Sequence, residues 1–121
     1  MIPGFPLLNS MSASVEFWAK AANRYPLLPA EETLRLGRII QASEPGSPKH
    51  VKTVNKLVLH NLRLALKWTQ AYIKSSTKMN YGDIKTADLL QEAFFGLRKA
   101  AEKFDPARGY AFSTYAKAWV Y

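Results

Sequence analysis

An all-α fold is what this 121-residue sequence predicts, and three observations carry the prediction. Apolar residues recur every three or four positions, the period of one helix face. No stretch alternates apolar and polar residues as a half-buried strand would. Proline and glycine punctuation divides the chain into a helical N-terminal section, a linker and a basic helical section.

The first section holds "SASVEFWAKAANRY", with Ser12 or Ser14 placed to cap a helix, and then "PLLPAEETLRLGRIIQAS". Pro29 followed by Glu31 and Glu32 marks a second helix start, because proline suits the first turn and carboxylates suit the positive helix end. Leu36, Ile39 and Ile40 give this helix its apolar stripe. "SEPGSPK" at 43–49, with two prolines and a glycine, reads as a linker or turn. The expected organisation is therefore a segment 1–48, a linker reaching to about residue 50, and a domain 51–121.

Residues 51–74, "VKTVNKLVLHNLRLALKWTQAYIK", predict one long helix whose face carries Val54, Leu57, Val58, Leu62, Ala65, Thr69 and Tyr72. Lys52, Lys56, His60, Arg63, Lys67 and Lys74 fall within an arc of about 80° on the same helical wheel. A solvated face and a polyanion contact explain that stripe equally well. A polar loop, "SSTKMNYGDIKT", turns at Gly82. Beyond it, Leu89, Leu90, Ala93, Phe94, Leu97, Ala100, Ala101 and Phe104 predict a helix with Thr86 as N-cap, Asp88 in the first turn and Pro106 as its stop. Arg108 and Gly109 turn the chain, and Ser113 or Thr114 is placed to start a last helix.

Charge is unevenly distributed. Residues 1–48 balance four basic against four acidic side chains, whereas residues 49–121 hold thirteen basic and five acidic, so the whole net charge of +8 lies in the second part. Such asymmetry points to a polyanion, nucleic acid first and an anionic membrane second. The absence of cysteine excludes disulfides, thiolate metal sites and thiol nucleophiles. No apolar run approaches the roughly 20 residues of a membrane span. "MIPGFPLLNSMSAS" lacks a basic leader and is broken by Pro3, Gly4 and Pro6, so it does not read as a signal peptide; a cytoplasmic protein without a membrane partner is expected.

Nothing in the sequence predicts an enzyme. His50 and His60 lack a metal-binding context, and no glycine-rich phosphate cradle is present. Asp88 and Glu92 share a helix face, but helix-end electrostatics account for Asp88 and two acids alone specify no reaction. No cofactor or metal is expected. The last stretch, "RGYAFSTYAKAWVY", is more informative. Phe112, Tyr115 and Trp119 lie at i, i+3 and i+7, which by itself describes a core stripe. Yet these rings and Tyr110 are interleaved with Arg108, Thr114 and Lys117, as a single-stranded nucleic-acid surface requires. There each ring stacks a base for roughly 1–3 kcal/mol while cations neutralise the backbone.

In order and spacing, "NLRLALKWTQAYI", "DLLQEAFFGLRKAAEKFDPARGYAFSTYA" and Trp119 resemble the most characteristic part of bacterial sigma-70 family factors. The earlier "VEFWAKAANRYPLLPAEETLRLGRIIQ" resembles the helical segment that precedes it in primary-type members, so the likeness runs over nearly the whole chain from about residue 15. The resemblance implies a compact helical bundle of the sigma region 2 type, preceded by a segment like region 1.2. It implies two partners, the coiled coil of the RNA polymerase β′ clamp and promoter DNA, above all the single-stranded non-template strand of the −10 element. An anti-sigma or other regulatory protein is a further partner that it allows. By this likeness Asp88, Gln91, Glu92, Phe94 and Arg98 dock on polymerase. Tyr110, Phe112, Thr114, Tyr115 and Trp119 form the melting segment, with Tyr115 stacking a flipped adenine in a pocket lined by Phe112. Lys103, Arg108 and Lys117 hold phosphates.

Several positions depart from the family pattern. Ala118 stands where the first of two adjacent tryptophans is usual, so half of the melting wedge is gone. Phe94 replaces a small polar residue, Arg98 an apolar one, and Glu16 a common arginine; the loop before Asp88 is also longer than usual. The sequence ends at Tyr121, before the family's continuation of the last helix. The sequence therefore supports a promoter-recognition fragment of a sigma factor. The alternative is a shortened sigma-like regulator that occupies the clamp site and competes with or redirects full-length factors.

Overall fold

A computed structural model describes residues 15–75 and 83–120 of the chain. Six α-helices and one 3₁₀ turn follow in order: α1 (Val15–Arg24), α2 (Ala30–Ala42), α3 (Pro48–Leu59), α4 (Leu62–Ser75), α5 (Asp83–Lys103), the 3₁₀ turn (Pro106–Arg108) and α6 (Phe112–Val120). The fold is all-α. The caps proposed at Ser12 and Ser14, and the loop turn at Gly82, lie outside the described residues.

Helix starts follow local chemistry. Pro29 is the N-cap of α2, with Glu31 and Glu32 in the first turn. Ser47 caps α3 by accepting a hydrogen bond from the His50 N–H at 3.2 Å, and Pro48 takes the first helical position, so the helix begins inside the proline-rich stretch read as a linker. Two expected starts are corrected. α5 begins at Asp83, which places Thr86 within the helix, and α6 begins at Phe112 instead of Ser113 or Thr114.

The larger correction concerns residues 51–74. In place of one helix there are two, broken at His60 and Asn61. The Asn61 side chain donates to the Leu57 carbonyl at 2.7 Å, and its own carbonyl accepts from the Leu64 N–H at 3.1 Å. Asn61 thus closes one helix with its side chain and opens the next with its backbone, the competition with helical bonding that asparagine is suited to. The expected basic stripe is divided: Lys52 and Lys56 stand on α3, and Arg63, Lys67 and Lys74 on α4. His60 leaves it altogether. Its Nδ1 is 2.8 Å from the Pro26 carbonyl, and its ring meets Tyr25 edge-on at 5.4 Å. Tyr72, expected on the apolar face, is exposed.

Every other helix packs against α5. Its buried face is Leu90, Ala93, Phe94, Leu97, Ala100 and Ala101, with buried Phe104 just past its end, and the alanines let neighbouring backbones approach. Trp18, Leu36 and Ile40 from the first two helices join the same core. Two glycines set close approaches. A Cβ at Gly96 would lie 2.5 Å from the Trp119 carbonyl oxygen, so α6 rests directly on α5 there. At Gly37 it would lie 2.6 Å from Pro106 Cγ, and beside it the Gln41 amide donates to the Phe104 carbonyl at 2.8 Å. α2 is thereby clamped to the turn that leads into α6.

Candidate nucleic-acid interface and docking face

The turn before α6 is built by three residues. Asp105 caps it, its Oδ1 accepting from the Ala107 N–H at 3.0 Å. Pro106 supplies a preset φ, and Gly109 takes φ 85°, a left-handed conformation that costs a non-glycine residue about 1 kcal/mol. The reversal leaves Arg108 exposed, 3.9 Å from Asp105 Oδ2, and delivers Tyr110 beside α6.

The rings that follow form a ladder from core to solvent. Phe112 is only 2% exposed and meets Phe104 edge-on at 5.2 Å. It lies beneath the outer rings, where the resemblance has it lining a pocket, with little surface of its own to offer DNA. Tyr115 is half-buried, 6.4 Å from the Phe104 ring. Tyr110 lies parallel to Tyr115, with centroids 5.3 Å apart and 4° between planes. Trp119, 38% exposed, stands at the outer end, 6.4 Å from Tyr115. One face of Tyr115 is thus already covered by another ring, in the position a stacked base would take. Thr114, Lys117, Lys103 and Arg108 are exposed around the ladder.

A groove of about 510 Å³ lies beside it, between the Leu27–Leu28 segment, the start of α4 and the Tyr110–Ser113 segment. Leu27, Leu28, Leu34 and Leu64 make its walls apolar, while Asn61, Tyr110 and Ser113 supply polar groups. Nothing in the sequence reading marked this groove. The available signal was "PLLP", two leucines between prolines, of which Leu27 stays exposed.

On α5, the predicted docking residues share one side with a single substitution among them. Asp88, Gln91 and Arg98 are half-buried and Glu92 is exposed. Phe94 lies in the core, as its place on the apolar face predicts; it is 3% exposed with its ring 5.5 Å from Trp18 of α1, which leaves no open surface for the polymerase contact that the resemblance implied. Its neighbour Phe95, 40% exposed, takes the surface position, one helical turn from Gln91, Glu92 and Arg98. A step of one residue turns a helix by about 100°, enough to exchange inside for outside.

These features describe a helical domain with two distinct surfaces, one ringed and cationic, the other polar around an aromatic. Residues 57–121 match the family described as Sigma-70 region 2. Among curated proteins, the chain is 35% identical over 124 residues to RNA polymerase sigma factor SigA4 of Synechococcus elongatus, covering 90% of this chain and 38% of that protein. It is 38% identical over 95 residues to RNA polymerase sigma factor RpoS of Coxiella burnetii, covering 78% and 23% respectively. It is 33% identical over 114 residues to the RNA polymerase sigma-C factor of Myxococcus xanthus, covering 93% and 34%. The chain belongs to the sigma-70 region 2 family, and it spans between about a quarter and two-fifths of the length of these relatives.

Proposed function

We propose that this domain acts in transcription initiation as part of a sigma factor, docking on core RNA polymerase through α5 and holding opened promoter DNA on α6. The observation that carries the second half is the ring ladder: Phe104 and Phe112 anchor it below, Tyr110 and Tyr115 are half-buried, and Trp119 is exposed among basic side chains. A purely structural stripe would bury its outer members, and a base arriving there finds a ring face plus a cation for its phosphate. Since Tyr110 already covers one side of Tyr115, an incoming base either displaces Tyr110 or uses the free side. The adjoining groove is large enough for a second unstacked base. The docking half rests on Gln91, Glu92 and Arg98 around Phe95, an exposed aromatic that a partner would desolvate inside a polar rim.

Titration of tryptophan fluorescence with single-stranded TATAAT and with a scrambled oligomer tests base capture. Preferential binding of the first, lost in Tyr115→Ala, is expected; equal affinity for both sequences removes the promoter reading. Binding to core polymerase should weaken in Glu92→Leu, and an unchanged affinity there removes the assignment of α5. Firm polymerase binding without any oligomer binding favours the competing-regulator alternative.

A further inference from the structure

We propose that His60 is a positioning residue for the groove beside the ring ladder: it ties the connection between α1 and α2 to the start of α4, and so sets the width at which the groove holds an unstacked base. The ligand is taken from the preceding reading. His60 itself does not line the groove and acts through the residues that do.

The tie joins two walls beside the residues that line them. His60 Nδ1 lies 2.8 Å from the Pro26 carbonyl oxygen. Asn61, the next residue after His60, lines the groove from α4, and Leu27, the next after Pro26, lines it from the connection. A carbonyl only accepts, so Nδ1 carries the proton, and the same bond forms whether the ring is neutral or charged. The ring also meets Tyr25 edge-on at 5.4 Å, one residue further back. Its own backbone is fixed as the C-cap of α3, the N–H donating to the Lys56 carbonyl at 3.1 Å. The histidine that left the basic stripe thus has a task of its own.

Little else holds the connection. Pro26 and Pro29 have no N–H to donate. At one end the Tyr25 N–H donates to the Ala22 carbonyl at 3.2 Å, and at the other the Pro29 carbonyl accepts from the Thr33 N–H at 3.1 Å. Between these ends, among the described residues, the bond to His60 is the only hydrogen bond that residues 26–28 make. Leu28 packs against the core, whereas Leu27 is exposed. The wall formed by Tyr110–Ser113 is anchored separately, through Phe112 on Phe104. One side of the groove is therefore built into the core, and the other is held by one side chain.

The test compares the whole chain with His60→Ala, His60→Gln and His60→Asn. An asparagine amide takes the place of Nδ1 and a glutamine amide that of Nε2, so His60→Asn alone keeps the donor where Pro26 needs it. Amide hydrogen exchange at Leu27 and Leu28 should quicken in His60→Ala and stay slow in His60→Asn. Core amides such as Leu97 should exchange as before, which separates a loosened wall from a loosened fold. Affinity for single-stranded TATAAT should fall roughly tenfold in His60→Ala and His60→Gln, the scale of one lost base contact, and largely return in His60→Asn. Oligomers with each base in turn replaced by an abasic site then locate the loss. At one position the abasic site should weaken the wild type and cost His60→Ala nothing further, while at the position stacked on Tyr115 it weakens both alike. Unchanged exchange at Leu27 and Leu28 in His60→Ala overturns the tie whatever the oligomer does. An affinity loss that asparagine does not restore, or that is spread equally over all abasic positions, overturns the positioning role. A wild-type chain that does not prefer TATAAT removes the promoter reading, and the groove's ligand with it.

Discussion

The ring ladder on α6 and the proposed docking face on α5 solve the same problem, keeping an aromatic at the surface, in opposite ways. On α5 the two tasks fall to different residues: Phe94 fills the core against Trp18, and Phe95 faces outward. On α6 they overlap. Tyr115 touches Phe104 below and Tyr110 beside it, so one ring serves packing and surface together. The difference teaches where stability and binding can be altered independently. A partner on α5 can change without disturbing the core, whereas the geometry of α6 is inseparable from the packing beneath it.

The sharpest way to break this comparison is to remove the buried ring on each side. Phe94→Ala and Phe112→Ala should each lose about 3–5 kcal/mol of stability, read by urea unfolding at low temperature. Their effects on binding should diverge. The milder Phe112→Leu should keep the fold and still lower affinity for the single-stranded oligomer, because Phe104, the ring beneath Tyr115, loses its edge-on partner. Phe94→Leu should leave polymerase affinity near the wild-type value. Equal binding losses from the two milder variants would show that both faces depend on the core alike, and the contrast would fail.

Exposed rings should show the converse. Phe95→Ala and Trp119→Ala are each expected to change stability by less than about 0.5 kcal/mol. Phe95→Ala should weaken core polymerase binding by more than about 1 kcal/mol, as loss of a central anchor does. Trp119→Ala should weaken oligomer binding by about 1–3 kcal/mol. The Trp119 backbone would still rest on Gly96, so the helix keeps its seat while the outer ring is lost. Oligomer affinity untouched by Trp119→Ala would confine base contact to the two tyrosines.

Much of this was legible in the residues, and the misses have physical causes. The helical sections and the stop at Pro106 follow from periodicity and proline chemistry, which are local. The break at Asn61 was hidden because the apolar face stays in phase across it: Leu57, Val58, Leu62 and Ala65 are all buried. The break shows in the Asn61 N–H turning to the Val58 carbonyl at 3.0 Å and in the Asn61 side chain taking the Leu57 carbonyl, neither of which is written in periodicity. The inward choice of Phe94 over Phe95 was legible in the spacing, but its partner Trp18, more than seventy positions earlier in the chain, was not. Gly37 and Gly96 show as gaps in a pattern, but what fills each gap, Pro106 or the α6 backbone, is tertiary information. The ring ladder was legible as composition and not as a gradient of exposure.

The smallest expected effect lies on a surface with no rings, and it sets the baseline against which the two ringed faces are judged. Glu32 joins α2 to α3: its carboxylate is held by Arg35 and lies 3.8 Å from Lys56 Nζ. The hydrogen bond from Arg35, followed by the charges of Arg35 and Lys56, holds its carboxyl below the usual carboxylate range despite slight desolvation. A group depressed in the folded state stabilises above its unfolded pKa and loses that contribution as pH falls through the folded one. The Glu32 contribution should therefore be intact at neutral pH and fade below about pH 4. Glu32→Gln should lower stability slightly at neutral pH and flatten the acid limb of the stability curve, with a size limited by solvent and salt screening. Affinities for the single-stranded oligomer and for core polymerase should stay constant, since neither ringed face contains Glu32. A loss of oligomer or polymerase affinity in Glu32→Gln would mean that Glu32 orders the ringed faces through α2, and charge would no longer be separable from packing on this surface either.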